Sequence, residues 1–114
     1  MHELSLCLNL LKQVLNTAQQ HQASAIQTID VQLGPLGGIS AEQLGVAFAQ
    51  ASAGTLAAGA ELRIESLPLT IRCRSCGASN TVVGQQLDCP ACLSTDTDPL
   101  PGDTLVITNV ELHL

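Results

Sequence analysis

Four of the five cysteines constrain this chain more than any other feature: Cys73-Arg74-Ser75-Cys76, twelve further residues, then Cys89-Pro90-Ala91-Cys92. Each CxxC turn aims two thiolates at one point, and two turns supply the four soft ligands that tetrahedral zinc takes. The intervening residues are enough to bring the halves together as a zinc ribbon, with Gly77 relaxing the first turn and Pro90 stiffening the second. Four thiolates leave no open coordination position, so the expected role of the metal is structural. A rubredoxin-like iron site shares the ligand pattern, but such domains rely on aromatic packing, and Phe48 is the single aromatic residue here. A redox-active pair wants a thioredoxin-like strand and helix around it, which the sequence does not offer. Cys7 lies apart, among leucines, and reads as a buried, inert thiol.

The rest of the chain must fold around this module. Its 114 residues suffice for one small domain carrying a smaller insert, and 46% of them are hydrophobic, so a core of Leu, Ile, Val and Ala can form. Ten acidic residues against four basic ones give a net charge of −6. That balance argues against a nucleic-acid backbone and against an anionic membrane surface, and four zinc-bound thiolates make it more negative still. No stretch approaches the ~20 apolar residues of a membrane span. The N-terminus lacks the basic region of a signal peptide, which makes a cytoplasmic location the expectation. In that reducing compartment, paired CxxC motifs are metal ligands rather than disulfides.

Periodicity predicts the remaining elements. Leu4, Leu8, Leu11, Leu15 and Ala18 recur at helical spacing over residues 4 to 20, with Leu6, Leu10 and Val14 widening the apolar stripe. Ile29, Val31 and Leu33 alternate with Asp30 and Gln32, predicting a strand over residues 25 to 33. Gly34-Pro35 and Gly37-Gly38 form a turn, and Ser40 followed by Gln43 predicts a capping box opening a second helix with Leu44, Ala47, Phe48 and Ala51 inward. Gly54 is expected to stop it. A second strand is expected at 60 to 66 and a third at 104 to 112. In the third, Leu105 and Ile107 fall out of phase with Val110 and Leu112, which predicts a bulge near Thr108 and Asn109. The expected fold class is α+β: two helices on a small three-stranded sheet, with an inserted four-cysteine, zinc-ribbon-like domain. Residues 1–68 with 103–114 would form the α/β domain and residues 69–102 the zinc domain, with prolines stiffening the crossings.

The chain opens Met1-His2-Glu3. One reading is a solvated histidine at a helix start. The other uses the chemistry of the terminus. The free α-amine of Met1 and the imidazole of His2 flank one backbone amide, so a metal bound by both can take the ionised amide nitrogen and close a five- and a six-membered ring. The Glu3 amide or carboxylate completes a plane. Ni(II) and Cu(II) favour this tetragonal, nitrogen-rich geometry, whereas zinc favours a tetrahedron. A helix N-terminus keeps His2 neutral and able to coordinate, while amide ionisation offsets the repulsion of a dication by the same dipole.

Taken together, Met1-His2-Glu3-Leu4-Ser5-Leu6-Cys7, Val31-Gln32-Leu33-Gly34-Pro35-Leu36, Gly54-Thr55-Leu56-Ala57-Ala58-Gly59-Ala60, Leu62-Arg63-Ile64-Glu65, the two CxxC pairs and the closing strand through Glu111 resemble the HypA/HybF nickel-insertion family. The resemblance covers essentially the whole chain. It implies a nickel metallochaperone that delivers Ni(II) to the precursor of the [NiFe]-hydrogenase large subunit, working with an accessory nickel GTPase and, in some relatives, with urease maturation factors. By position, Met1, His2 and Glu3 would hold the transported nickel, and Cys73, Cys76, Cys89 and Cys92 the structural zinc. The chain departs from the family at Gln13 and Val14, where many relatives carry a Glu, at Leu93, where Gly or His is common, and in an Asp- and Thr-rich linker after Cys92.

The sequence carries no P-loop Gly-Lys motif and suggests no Ser, His and Asp constellation, so a non-catalytic carrier is expected. His21 and His113 are expected at the surface. Two rival functions are a zinc-ribbon interaction adaptor without metal transfer, and a small electron carrier with iron at the cysteines. Iron–thiolate colour distinguishes the second, and dependence of nickel affinity on His2 the first.

Overall fold

The computed structural model describes residues 2–35, 38–82, 87–100 and 104–114, with the side chains of His2 and Glu3 excepted. Helix α1 spans His2–Gln20, with no Gly or Pro to interrupt it. Its buried residues are Cys7, Leu10, Leu11, Val14 and Ala18, while Leu4 and Leu8 are 38% and 50% exposed. This corrects the expected stripe at Leu4 and Leu8, which stay largely outside the core, while Leu11, Ala18, Leu10, Val14 and Cys7 are buried as expected. The spacing alone could not choose between two leucine-rich rows on one helix. Burial raises the Cys7 thiol pKa, consistent with an inert core residue. The helix closes in a Schellman arrangement, with Gln22 at φ 55° and hydrogen bonds from Ala23 N–H to the Ala18 carbonyl (2.9 Å) and from Gln22 N–H to the Gln19 carbonyl (3.1 Å).

Strand β1, Ala25–Leu33, has the bounds the alternation predicts. It is the central strand of a three-stranded sheet, flanked by β2 (Glu61–Ser66) and β6 (Leu105–His113). After it, helix α2 runs Ala41–Ala51 with Ser40 as N-cap and the capping box formed in both directions: Gln43 N–H donates to Ser40 Oγ (3.1 Å), and Ser40 N–H to Gln43 Oε1 (2.9 Å). Leu44 and Phe48 carry its burial. The helix stops at Ser52 rather than at Gly54. The loop that follows buries Ala57 in the core and gives the Leu56 carbonyl to Ile26 N–H (2.9 Å). Strand β2, Glu61–Ser66, then pairs parallel to β1, which requires the crossover that α2 supplies.

Strand β6, Leu105–His113, returns antiparallel on the other side of β1. Asp30 lies opposite Asn109 and Val31 opposite Ile107, so Thr108 is the extra residue and the predicted bulge is present. It restores Val110 and Leu112 to the face occupied by Leu105 and Ile107, all four of which pack against the core. A second register shift, between Ile26 and Thr28, makes Gln27 extra on β1 and does the same for Ile26. The face away from the core is polar. Arg63 joins Asp30 (2.7 Å) and Glu111 (3.0 Å) across three strands, and Gln32 donates to Glu65 (2.9 Å).

The remaining strands form a separate sheet, ordered β4-β3-β5, from β3 (Leu69–Cys73), β4 (Ser79–Val82) and β5 (Thr97–Pro99). All pairings are antiparallel. With the turn at Cys89 it contributes the buried residues Ile71, Cys73, Val82 and Cys89, apart from the main core cluster. The molecule is elongated, with a radius of gyration of 17.4 Å, where a compact chain of this length would have roughly 13 Å. No helix among the described residues is long and apolar enough to cross a membrane.

Candidate metal centre

The two CxxC segments are built alike. Cys73 ends β3, and the chain turns through Arg74, Ser75, Cys76 and Gly77 into β4; Cys89 to Cys92 form the corresponding turn before β5. In the first turn, Gly77 N–H donates to the Cys73 carbonyl and Cys73 N–H to the Ala78 carbonyl, both at 2.9 Å. In the second, Leu93 N–H donates to the Cys89 carbonyl (2.7 Å) and Cys89 N–H to the Ser94 carbonyl (2.9 Å). Each turn thus presents its first cysteine from the interior and its second from outside: Cys73 and Cys89 are buried, Cys76 and Cys92 exposed.

The four sulfurs lie within 4.8 Å of one another. Across the turns, Cys73 Sγ is 3.5 Å from Cys92 Sγ and Cys76 Sγ is 3.7 Å from Cys89 Sγ. Zinc–sulfur bonds of about 2.3 Å in a tetrahedron place sulfurs about 3.8 Å apart, so the donor set fits a structural zinc ion with four protein ligands. As free thiols the four would share protons unequally. Hydrogen bonding from the Cys76 backbone N–H draws Cys73 down to about 6. At Cys92 the Ser94 backbone N–H is the largest single influence and favours the thiolate, but hydrogen bonding to the Cys73, Cys76 and Cys89 sulfurs and burial together outweigh it and push the group up to about 12. Zinc takes all four as thiolates, so its uptake releases protons.

The matching turns share their backbone but not the residue that follows the second cysteine. The residue after each second cysteine has a left-handed conformation, φ 77° at Gly77 and φ 64° at Leu93. Glycine adopts this at no steric cost, whereas a Cβ there is unfavourable, and the Leu93 side chain is 79% exposed and gains little from packing. Leu93→Gly is therefore expected to stabilise the zinc-bound turn by about 0.5–1 kcal/mol. Competition with a chelator of known affinity reads this as a few-fold tighter zinc binding.

The sequence located all four ligands but not the polar frame around them. Ser75 Oγ is 2.9 Å from Ser94 Oγ, Arg74 reaches Asp96 and Asp98, and Thr97 Oγ1 donates to the Leu87 carbonyl. The only sequence signal was the Asp- and Thr-rich run after Cys92, whose partners lie between 10 and 24 residues upstream. Of the expected nickel ligands, Met1 lies outside the described residues, as do the side chains of His2 and Glu3; the backbone of His2 begins α1. His21 and His113 are exposed, as expected.

A mixed α/β body joined to a four-cysteine ribbon defines a small two-sheet metalloprotein. Residues 1–112 match the family model described as "Hydrogenase/urease nickel incorporation, metallochaperone, hypA". The chain is 38% identical over 112 residues to the hydrogenase maturation factor HypA of Nitrosospira multiformis, covering 98% of this chain and 97% of that protein. It is 31% identical over 114 residues to the same factor of Aquifex aeolicus, covering 100% and 99%. The solution structure of the Ni metallochaperone HypA from Helicobacter pylori superposes with a TM-score of 0.67 at 21% identity, covering 99% of this chain and 98% of that one, a likeness of fold. The chain belongs to the HypA family of hydrogenase/urease nickel-incorporation metallochaperones.

Proposed function

We propose that the protein carries Ni(II) on its N-terminus and delivers it, without catalysis of its own, to the precursor of the [NiFe]-hydrogenase large subunit, together with an accessory nickel GTPase and, in cells with urease, its maturation factors. The carrying observation is that the family match starts at residue 1 and so takes in Met1-His2-Glu3 along with the four cysteines. With Met1 as the free terminus, its amine, the amide that follows and the His2 imidazole form two fused chelate rings, and Glu3 completes a square plane suited to nickel. The tetrahedral thiolate site selects zinc and is closed, so cargo and structural metal are chemically separated. In this reading residues 1–68 and 103–114 form the nickel-carrying domain, and residues 69–102 the zinc domain.

Calorimetric titration of nickel into the zinc-loaded protein tests this. One-to-one binding at micromolar or tighter affinity is expected, lost in His2→Ala and in a variant with residues added before Met1, while zinc remains at one per chain. Nickel binding unchanged in both variants, or following the cysteines, would refute the terminal site and favour a ribbon adaptor that transfers no metal.

A further inference from the structure

We propose that Arg74, which ligates nothing, is a positioning residue that locks the two halves of the zinc site together and slows the loss of the metal. Arg74 sits inside the first CxxC turn. Its Nε donates to Asp98 Oδ2 at 2.7 Å, and its Nη2 donates to the other oxygen of the same carboxylate, a two-pronged fork. Its Nη1 donates to Asp96 Oδ1 at 3.0 Å, and its backbone N–H to the Asp96 carbonyl at 2.9 Å. One residue of the first turn thus makes four hydrogen bonds to the segment that follows the second.

That segment is tied down on its other side as well. Ser94 meets Ser75 of the first turn, Thr97 lies opposite Cys73 in the β3–β5 register, and the Thr97 hydroxyl holds the Leu87 carbonyl, two residues before Cys89. Residues 94 to 98 carry no metal ligand, yet they connect both turns. Release of a zinc ion held by the four cysteines would require one CxxC turn to part from the other. The turn that swings away must first break the Arg74 fork. Both partners are half exposed, so the pair adds little to equilibrium stability. A planar fork holds a turn against rotation, which a single ammonium does not, so lysine is a poor substitute. Pro90, at the matching position of the second turn, has no N–H and no side-chain donor, and the lock is therefore one-sided.

The inference rests on zinc filling the four cysteines, and a zinc content of one per chain in the wild type checks that separately. Zinc release is followed with a chromogenic chelator under conditions where opening of the site limits the rate. Arg74→Met, which keeps the stem and removes every donor, is expected to release zinc about fivefold faster, the scale of a well-formed exposed ion pair. Arg74→Lys should resemble it. Arg74→Asp should be at least as fast, and adding Asp98→Arg should restore a rate within about twofold of wild type, given that reversed pairing rebuilds the link. Equal rates for wild type and Arg74→Met, full retention by Arg74→Lys, or no recovery in the double variant would each overturn the lock. If Arg74→Asp does not load zinc, the Met and Lys variants decide.

Discussion

Stripping zinc with a strong chelator is expected to abolish amide-exchange protection in β3, β4 and β5 while α1, α2, β1, β2 and β6 keep theirs. The difference follows from what each sheet has to bury. The ribbon sheet encloses Ile71 and Val82 with two cysteines among the described residues, too little apolar surface for a unit of this size to hold itself together. Structural zinc contributes on the order of 10–16 kcal/mol to such modules, so its removal leaves their folding without a driving force. The body's core, among the described residues, holds twelve buried ones from α1, β1, α2 and the loop before β2, and none of them is a metal ligand. Exchange measured by mass spectrometry before and after chelation separates the two regions. Loss of protection throughout would mean the body and the ribbon are one cooperative unit.

The reciprocal experiment removes the centre of the body. Ile29 has no exposure and lies midway along the central strand, between Leu62 of β2 and Val110 of β6. Ile29→Ala leaves a cavity that a sheet paired on both sides cannot collapse, at a cost of about 2–5 kcal/mol. A domain of this size has roughly 5–15 kcal/mol in total, and each kcal/mol moves the midpoint by roughly 4–8 °C. Helical circular dichroism should therefore melt tens of degrees earlier, with zinc still bound at one per chain. Release of zinc in step with helix loss would show that the ribbon depends on the body.

How far these features were legible in the sequence depended on how local their causes are. The capping box at Ser40 and Gln43 involves residues three apart and was readable. So was the Thr108 bulge, because a slip in alternation leaves its mark on the bulged strand itself. The four zinc ligands announced themselves through spacing. The Gln27 bulge was hidden, since Ala25 and Ile26 offer too short a run to show a change of phase. The exposure of Leu4 and Leu8 was hidden because leucine occupies both the buried and the exposed rows of α1, and only the sheet and α2 decide between them. The parallel pairing of β1 with β2 and the reach of Arg74 to Asp98 join residues 24 or more apart, which no local pattern encodes.

Ser66, at the end of β2, and Leu105, at the start of β6, both lie beside Leu33, one on each side. To the body, then, everything between them is a single loop whose two ends stand two strand spacings apart, about 10 Å. The entropy of closing such a loop grows only logarithmically, so doubling its length costs about 0.6 kcal/mol, and the body is thermodynamically almost indifferent to the ribbon's size. The order of assembly is a different matter. β6 has to find β1 across most of the chain, the slow kind of encounter that governs folding rate. A ribbon already gathered around its metal shortens that search, so zinc acts on the body as a matchmaker for its last strand.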